Sequence, residues 1–428
     1  MYALVDANSF YCSVERSFNP ALEGRPIIVL SNRDGNVIAR NAEAKALGIN
    51  MAGYFFEMKE MVAQHNIAVF SSNYVLYGDV SARLMSCLAK FVEDVEVYSI
   101  DEAFLLVDDS YNQYYPSYQG LGETIRVKIK QWLRLPVSIG FGPTKTLSKI
   151  ANRLAKQNPA YQGVCVLDTP DKIGEALQAF PVEDIWGVGH RSASKLKKFD
   201  IRTAAQLRDV PDDWIRQQMT VNGVRLVYEL RGKPCKLLEV NPPARKSICT
   251  EPGFGQVTPS FEQVQDALTF HLSRICEKLR KQDSLAGCLI VYLRTDPNRK
   301  TPGNGLPSKQ FSNSRTVRLP HPTSSTAELL QYASAALKEI FSFGYHYLRV
   351  GIMLTDLVPA DYRQKGLFVE GPNEKSLKLA NVVDKLNYRY GKDTLRLASQ
   401  MHAPEWPMKP KFLSPCYTTR WQDILIVK

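Results

Sequence analysis

The sequence predicts an α+β protein of several domains. Its 428 residues are enough for two to four domains at roughly 100–200 residues each. Segments with the composition of buried strands are interleaved with segments of helical periodicity. None of the strand segments is a long apolar run of the kind found in parallel sheets. This pattern favours antiparallel or mixed sheets backed by helices.

Strands and helices alternate through the first 165 residues. The predicted strands are YALVDANSFY, RPIIVLSN, VEVYSI, EAFLLV and PVSIGFG. The predicted helices are VIARNAEAKALGI, VLYGDVSARLMSCLAKFV, LGETIRVKIKQWL and TKTLSKIANRLAK. Because strands and helices are mixed along the same stretch, we expect one sheet to be packed against several helices.

The pattern changes after residue 168. Residues 170–233 read as short helices with turns, and the proline-rich KPCKLLEVNPPARK reads as a linker. A long helix over FEQVQDALTFHLSRICEKLRK then precedes three strands, GCLIVYLRT, RTVRLP and YLRVGIMLTDL. Beyond residue 356 one more helix is expected over LKLANVVDKLNYRYG.

Positive charge is concentrated in the second half of the chain. The net charge is +11, yet the first 165 residues carry 16 Lys and Arg against 16 Asp and Glu. Residues 245–355 carry 14 against 8. This asymmetry favours chemistry in the first half and the holding of a polyanion in the second, with solubility as the alternative explanation.

Cysteines and hydropathy indicate a cytoplasmic protein. The eight cysteines are scattered without a C-x-x-C pair, so we expect reduced thiols and no zinc site. The start, MYALVDANSF, has neither a basic region nor a long apolar stretch, so no signal peptide is expected. No apolar window is long enough for a membrane span.

Three acidic residues stand at the ends of buried strands. They are Asp6 in LVDANSF, and Asp101 with Glu102 in SIDEAF. A single acid of this kind is usually a cap or turn residue, but three on one sheet would be costly without a counter-charge. A divalent cation with oxygen ligands offsets that cost. Two Mg²⁺ ions roughly 4 Å apart serve nucleotidyl transfer, and a nucleotide cyclase is the nearest rival chemistry.

Two aromatic residues follow the first acid. Phe10 and Tyr11 lie just beyond Asp6 in DANSFYCSVE. One of them is expected to pack in the core. The other is a candidate plate beneath the sugar of a bound nucleotide, where a ring excludes a 2′-hydroxyl by its bulk.

Five motifs together resemble the Y-family translesion DNA polymerases. In order they are DANSFYCSVE, VIARNAEAKALGI, YSIDEAF, GFGPTKTLSKIANRLAK and WGVGHRSASKLKKF. The resemblance covers residues 1 to about 355. Within the family, FSSNYVLYGDVSARLM and the tail FLSPCYTTRW are similar to the UmuC-like branch.

The resemblance implies a right-hand polymerase with a ferredoxin-like palm, small fingers, a helical thumb with a helix-hairpin-helix, and an α/β little finger. The expected domains are 1–9 and 72–165 for the palm, 10–71 for the fingers, 166–233 for the thumb, 234–245 for a linker, 246–355 for the little finger, and 356–428 for a C-terminal partner- and clamp-binding region.

The resemblance also implies site residues. Asp6, Asp101 and Glu102 fall on the metal ligands of the family, and the Ala7 carbonyl is expected on the second Mg²⁺. Tyr11 falls on the ring that selects the sugar, with Phe10 beside it. The dNTP triphosphate is expected on Lys149 and Lys45. Lys45 stands where many relatives have Arg, and Ala42 where many have Tyr, so Arg40 or Asn41 is expected to compensate.

Two regions are expected to hold DNA. In WGVGHRSASKLKKF, Gly187 and Gly189 permit a turn that presents backbone N–H groups to a phosphate, and Lys195 and Lys198 follow, with Lys197, on the same helix. The excess charge of residues 245–355 is carried by Arg274, Lys278, Arg280, Lys281, Arg294, Arg315 and Arg318, among others. Such contacts ignore sequence, as template copying requires.

The tail contains a short candidate docking peptide. RQKGLF resembles sliding-clamp-binding peptides, in which Gln364 would fill a polar pocket and Leu367 and Phe368 an apolar one. An incidental loop is the alternative. The UmuC-like branch implies a processed UmuD-like dimer and the RecA filament as further partners.

The function expected from these features is error-prone synthesis across damaged template bases, using primer-template DNA, dNTP and two Mg²⁺ ions. Fingers of about 60 residues would check base-pair shape weakly. A non-catalytic DNA- and clamp-binding scaffold of the same fold is the alternative from another class, and intact acidic residues speak against it.

Overall fold

The computed structural model describes residues 1–297, 309–361, 374–400 and 410–426. They belong to two compact units. The first unit is Met1–Pro242 with Pro410–Lys428, and the second is Pro243–Lys409. The boundary falls between two prolines of the expected linker.

The first unit alternates strands and helices, as the sequence predicts. In chain order its elements are β1 (Tyr2–Ala7), α1 (Phe10–Phe18), β2 (Ile27–Leu30), β3 (Val37–Arg40), α2 (Ala42–Ala46), α3 (Lys59–Gln64), β4 (Ala68–Ser71), α4 (Tyr74–Leu88), β5 (Val95–Val97), β6 (Glu102–Leu106), α5 (Tyr118–Leu133), β7 (Val137–Gly142), α6 (Lys145–Gln157), β8 (Val164–Val166), α7 (Pro170–Ala179), α8 (His190–Lys198), α9 (Ala204–Arg208) and α10 (Asp212–Leu230).

A five-stranded mixed sheet forms the centre of this unit, in the order β5-β6-β1-β7-β8. Strand β1 pairs antiparallel with β6 and with β7, and β7 pairs parallel with β8. Ala3 and Val5 of β1 pack in one core with residues of α4 and α5. Because side chains alternate along a strand, Leu4 and Asp6 turn to the opposite face, where Asn152 of α6 donates a hydrogen bond to the Leu4 carbonyl.

Close backbone contact fixes α6 on that face. A Cβ atom on Gly140 of β7 would lie 2.0 Å from the backbone nitrogen of Asn152. Only glycine permits an approach this close. The side chains of α6 are therefore held near the sheet.

A smaller three-stranded sheet, β3-β2-β4, follows α1 in the chain. The sequence prediction of a helix over residues 37–49 was wrong for its first part, because Val37–Arg40 is strand β3. Only Ala42–Ala46 is helical. Asn41 separates the two: its side-chain oxygen accepts the backbone N–H of Ala44 and caps α2.

In its described residues, the second unit contains a sheet and three α-helices. Its elements are β9 (Ile248–Thr250), β10 (Gly253–Thr258), α11 (Phe261–Lys281), β11 (Ser284–Thr295), β12 (Ser312–Thr323), α12 (Thr326–Ile340), β13 (Tyr347–Pro359) and α13 (Glu374–Tyr390). The strands run in the order β10-β13-β11-β12, and β9 also pairs with β13. The long helix and three strands predicted between residues 247 and 357 are confirmed.

The C-terminal region predicted as one stretch divides between the units. Helix α13 belongs to the second unit, whereas residues 410–426 return to the first. The Phe412 carbonyl accepts the backbone N–H of Ser71 of β4, and the Phe412 N–H donates to Ser71 Oγ. Tyr417 stacks on Phe18 of α1. The local sequence pattern did not predict these contacts, because each joins residues that are more than 300 positions apart in the chain. No helix of the described residues is long and apolar enough to cross a membrane.

A buried ion pair ties α6 to the edge of the central sheet. Lys145 is 3% exposed and pairs with Glu96 of β5. The Lys145 ammonium also donates to the Leu237 carbonyl at 2.7 Å, and Glu96 accepts the backbone N–H of Glu239 at 2.7 Å. The beginning of the expected linker is therefore attached to the first unit.

We predict that Lys145→Met lowers the free energy of unfolding by about 3 kcal/mol, because it leaves the Glu96 charge buried without its partner. Urea denaturation followed by tryptophan fluorescence measures the change. Lys172→Met is the matched control: it breaks the exposed pair with Asp168 and should cost under about 0.5 kcal/mol. Equal losses in both variants would contradict the prediction.

A second buried charge lies on α1. Glu15 is 2% exposed. One of its oxygens, Oε1, accepts hydrogen bonds from the Tyr77 hydroxyl at 2.6 Å and from Ser414 Oγ at 2.9 Å. Burial raises the pKa of the Glu15 carboxyl to about 7, although both hydrogen bonds oppose the rise. The folded state therefore favours the protonated carboxyl more than the unfolded chain does.

We predict that Glu15→Gln flattens part of the dependence of stability on pH. Between the unfolded pKa of 4.5 and the folded value of about 7, the native state binds the extra proton, so this group destabilises the fold increasingly as pH rises. Gln cannot titrate, so the variant should gain up to about 3 kcal/mol relative to wild type between pH 5 and pH 8. Urea denaturation at both pH values measures the difference, and parallel behaviour of the two proteins would contradict it.

Candidate active site

The acidic pair Asp101 and Glu102 lies at the tip of a β-hairpin. The backbone N–H groups of Tyr98 and Ser99 both donate to the Glu102 carbonyl, at 3.1 and 3.0 Å. Asp101 is thus in the turn between β5 and β6, and Glu102 is the first residue of β6. The hairpin resolves an apparent conflict in the sequence, since neither carboxylate has to point into the apolar core.

Asp6 lies beside this hairpin. It is directly opposite Glu102 in the pairing of β1 with β6, and residues opposite each other project from the same face of a sheet. The backbone N–H of Ala7 donates to the Asp101 carbonyl at 2.9 Å. The three acids that sequence reasoning selected are therefore brought together at one end of the central sheet.

Two lysines of α6 face these carboxylates. Lys149 Nζ lies 3.0 Å from Glu102 Oε2, and Lys156 Nζ lies 2.6 Å from Asp6 Oδ2. Residues seven positions apart share one face of a helix. Sequence reasoning selected Lys149 and missed Lys156, although this spacing could have shown it. Ser99 Oγ holds Asp101 by a short hydrogen bond.

The surroundings of Asp6 disfavour its ionised form. Burial raises the pKa of the Asp6 carboxyl to about 7. Lys156 opposes the rise, while the hydrogen bond and charge of Glu102 add to it. A cation in addition to Lys156 would offset the repulsion between Asp6 and Glu102, because an opposite charge favours the ionised form of a carboxyl group.

The donor set fits a hard divalent cation. Asp6, Asp101 and Glu102 offer carboxylate oxygens, which Mg²⁺ prefers. Ala7, whose carbonyl is a further candidate ligand, follows Asp6 in the chain. As placed, each carboxylate is bound to a lysine or a serine. Among the residues that the structure describes, no group of three or more Asp, Glu, His or Cys side chains is arranged to hold a metal ion.

Tyr11 and Phe10 occupy different environments. Phe10 is 3% exposed and belongs to the core of the central sheet, so the predicted contact with a sugar falls to Tyr11. The Tyr11 ring stacks on Tyr77 with centroids 4.5 Å apart and meets the edge of Tyr74 at 6.0 Å. Burial raises the pKa of Tyr11, and Tyr74 and Asp101 add to the rise. The ring thus lies close to the carboxylate site.

The small sheet places the other candidate nucleotide contacts. Arg40 ends β3, and its Nε atom is buried without a hydrogen bond. Lys45 is exposed on α2, with Ala42 at the start of the same helix. Asn41 cannot compensate for a missing phosphate contact, because its amide is used within the fold: it accepts from Ile27 and Ala44 and donates to the Arg25 carbonyl.

The predicted glycine hairpin leads directly into α8. Gly187 has φ +99°, which favours glycine, and Gly189 caps the helix that begins at His190. Lys195 and Lys198 are exposed on α8, and Lys195 also donates to the Gln218 carbonyl at 2.8 Å. The glycine turn and the helix start expected from the sequence are present, and the Val188 N–H between the two glycines donates to the Ile185 carbonyl at 2.9 Å. The contact of this turn with a phosphate stays a prediction.

Several basic residues of the second unit are engaged in ion pairs. Arg280 binds both carboxylate oxygens of Asp384 on α13, at 2.6 and 2.9 Å, and Arg274 lies 2.5 Å from Asp393. Arg315 pairs with Glu339 at 2.8 Å. These acids compete with DNA phosphates for the arginines, and the contact of this unit with DNA stays a prediction.

The candidate docking peptide is RQKGLF, residues 363–368. Gln364, Leu367 and Phe368 lie outside the described residues. The clamp-binding assignment therefore remains a prediction from the sequence.

Comparisons with known proteins cover the full chain. Residues 5–153 match the impB/mucB/samB family, residues 245–367 match the impB/mucB/samB family C-terminal domain, and residues 378–427 match a domain of unknown function, DUF4113. Protein UmuC and Protein ImpB of Salmonella typhimurium are 39% and 38% identical to the chain. In both cases the match covers 100% of each sequence.

A solved structure shares the fold. The Y-family DNA polymerase chimera Dbh-Dpo4(243-245)-Dbh aligns with a TM-score of 0.65 and 20% identity, over 84% of this chain and 99% of its own. At this identity the likeness concerns the fold. The family matches and the full-length relatives show that the chain belongs to the impB/mucB/samB family.

Proposed function

We propose that the chain is a DNA-directed DNA polymerase that extends a primer opposite damaged template bases in the SOS response to DNA damage. The observation that carries the proposal is the meeting of Asp6, Asp101 and Glu102 at one end of the sheet, opposite two lysines of α6. A set of hard oxygen donors beside cationic side chains suits a reaction between phosphates.

Each charged residue has a proposed part in the reaction. Asp6, Asp101 and Glu102, with the Ala7 carbonyl, would hold two Mg²⁺ ions, which would supply positive charge to the attacking 3′-oxygen and the leaving pyrophosphate. With a cation at the carboxylates, the ammonium groups of Lys149 and Lys156 would be available to contact the triphosphate of the dNTP. Arg40 and Lys45 supply further positive charge from the small sheet and α2.

Tyr11 is proposed to select deoxyribose. Its ring packs against the aromatic rings of Tyr74 and Tyr77 of α4, and a sugar bearing a 2′-hydroxyl would collide with it. Steric exclusion of the 2′-hydroxyl requires a ring that keeps its position. The stacking on the fully buried Tyr77 supports that rigidity.

Other parts of the chain are proposed to bind DNA and partner proteins. The turn at Gly187 and Gly189, with Lys195 and Lys198 of α8, is proposed to contact primer-template phosphates without reading sequence. The processed UmuD-like dimer, the RecA filament and a sliding clamp are the proposed protein partners, the last through Gln364, Leu367 and Phe368. The proposed place of action is the cytoplasm, at the nucleoid.

We predict that Asp101→Asn lowers the rate of primer extension by about 1,000-fold. This corresponds to roughly 4 kcal/mol of lost transition-state stabilisation. The measurement is single-nucleotide extension of a primed template by the full-length chain with its partner proteins and Mg²⁺. Asp94→Asn, an exposed acid near the same sheet, is the control. If wild type extends no primer, or Asp101→Asn works as well, a non-catalytic scaffold is the better account.

Tyr11→Ala is predicted to remove most of the preference for deoxyribonucleotides. Without the ring, a 2′-hydroxyl meets empty space, so the ratio of kcat/KM for dATP over ATP opposite template dT should fall by about 100-fold. Tyr114→Ala, which removes a ring that is 73% exposed, should leave the ratio unchanged. A preference that survives in Tyr11→Ala would refute the role given to this ring.

A further inference from the structure

Residues 411–417, which we call the strap, are built into the first unit. The strap lies within the stretch that matches a domain of unknown function. Phe412 donates to Ser71 Oγ at 3.0 Å and accepts the Ser71 backbone N–H at 2.9 Å. Its ring meets Phe55 edge-on at 5.6 Å, and at the other end Tyr417 stacks on Phe18 at 4.9 Å. The strap is thus anchored at both ends.

Ser414, in the middle of the strap, is a buried polar residue. It is 6% exposed, and its Oγ donates to Glu15 Oε1 at 2.9 Å. The Asn73 amide donates to the Ser414 carbonyl at 2.9 Å and to its Oγ at 3.1 Å. Asn73 in turn caps α4, since its side-chain oxygen accepts the backbone N–H of Leu76. The strap therefore contacts both α1 and the start of α4.

The same contacts lead to the Tyr11 ring. Glu15 lies one helical turn after Tyr11 on α1, so the two share a face. The oxygen of Glu15 that accepts from Ser414 also accepts the hydroxyl of Tyr77. Tyr77 is fully buried and stacks against Tyr11 with an interplanar angle of 17°. A continuous set of contacts therefore runs from Ser414 through Glu15 and Tyr77 to Tyr11.

The position of the Glu15 side chain depends on its hydrogen bond from the strap. A buried carboxyl group is tolerated when its oxygens are hydrogen-bonded, and the Tyr77 and Ser414 hydroxyls both donate to the same oxygen of Glu15. Loss of the Ser414 hydroxyl removes one of the two donors. The Glu15 side chain is then free to move toward other polar groups, and the Tyr77 hydroxyl must follow it or lose its acceptor.

We propose that the strap completes the nucleotide pocket and that Ser414 is a positioning residue for sugar selection. It acts on Tyr11 through Glu15 and Tyr77 and does not itself touch the nucleotide. The inference rests on the proposed function of Tyr11. It gives this part of the unassigned C-terminal domain a role within the polymerase core, in addition to any docking of partners.

The test compares sugar discrimination in full-length variants with their partner proteins. The quantity measured is kcat/KM for dATP divided by kcat/KM for ATP, opposite template dT. Ser414→Ala should lower this ratio by about 5- to 10-fold, the effect of one hydrogen bond to a carboxyl group. Thr419→Ala, an exposed hydroxyl of the same tail, is the matched control and should leave the ratio unchanged.

Tyr77→Phe provides a second route to the same readout. It removes the hydroxyl that binds Glu15 but keeps the ring that stacks on Tyr11, so it should lower discrimination to a similar extent. The double variant should lose no more than the larger single variant, because both changes act through one carboxyl group.

The possible outcomes distinguish the proposed role of the strap from the proposed role of Tyr11. If Tyr11→Ala loses discrimination while Ser414→Ala and Tyr77→Phe behave like Thr419→Ala, the role of the strap is refuted and that of Tyr11 stands. If dATP and ATP incorporation fall together in both variants, the strap is only structural and the inference is also wrong. If Tyr11→Ala itself keeps full discrimination, the proposed role of Tyr11 fails, and the inference fails with it.

Discussion

The pairing of Asp6 with Glu102 across two antiparallel strands is the constraint on which the rest of the site depends. It places two carboxylates on one face of the sheet, and the hairpin tip adds Asp101. Such a cluster is unfavourable without positive charge. Helix α6 supplies that charge through Lys149 and Lys156, and it lies close enough to do so because Gly140 lets its backbone approach the sheet. The apolar core of the central sheet keeps these elements in place.

The structure also suggests how the site can remain folded without a cation. Each carboxylate already has a partner on the chain: Lys156 for Asp6, Lys149 for Glu102 and Ser99 for Asp101. These partners offset the repulsion only in part, since the pKa of Asp6 stays well above its usual value because of burial. In the proposed function, a metal ion would replace the lysines at the carboxylates, and Lys149 and Lys156 would then be available to bind phosphate.

Local features of the chain predicted the central part of this fold well. Strand β1, the hairpin around Asp101 and helices α4, α5, α6 and α11 follow from composition and periodicity, and the three acids follow from their positions at strand ends. Long-range pairing was not predictable. The β-branched Val37 and Ile38 lie in a strand because β2 is beside them, which a local helical pattern cannot show. The neutralisation of Arg280 by Asp384 and the insertion of Ser414 beside Glu15 likewise join residues more than 100 positions apart.

The most direct test of the central claim is a crystal structure of the full-length chain with primer-template DNA, a non-hydrolysable dNTP and Mn²⁺, whose anomalous signal locates the metal. The account predicts two anomalous peaks bounded by Asp6, Asp101 and Glu102, with Lys149 and Lys156 moved from these carboxylates to the triphosphate. Metal peaks elsewhere, or carboxylates still paired with both lysines while the nucleotide is bound, would contradict it.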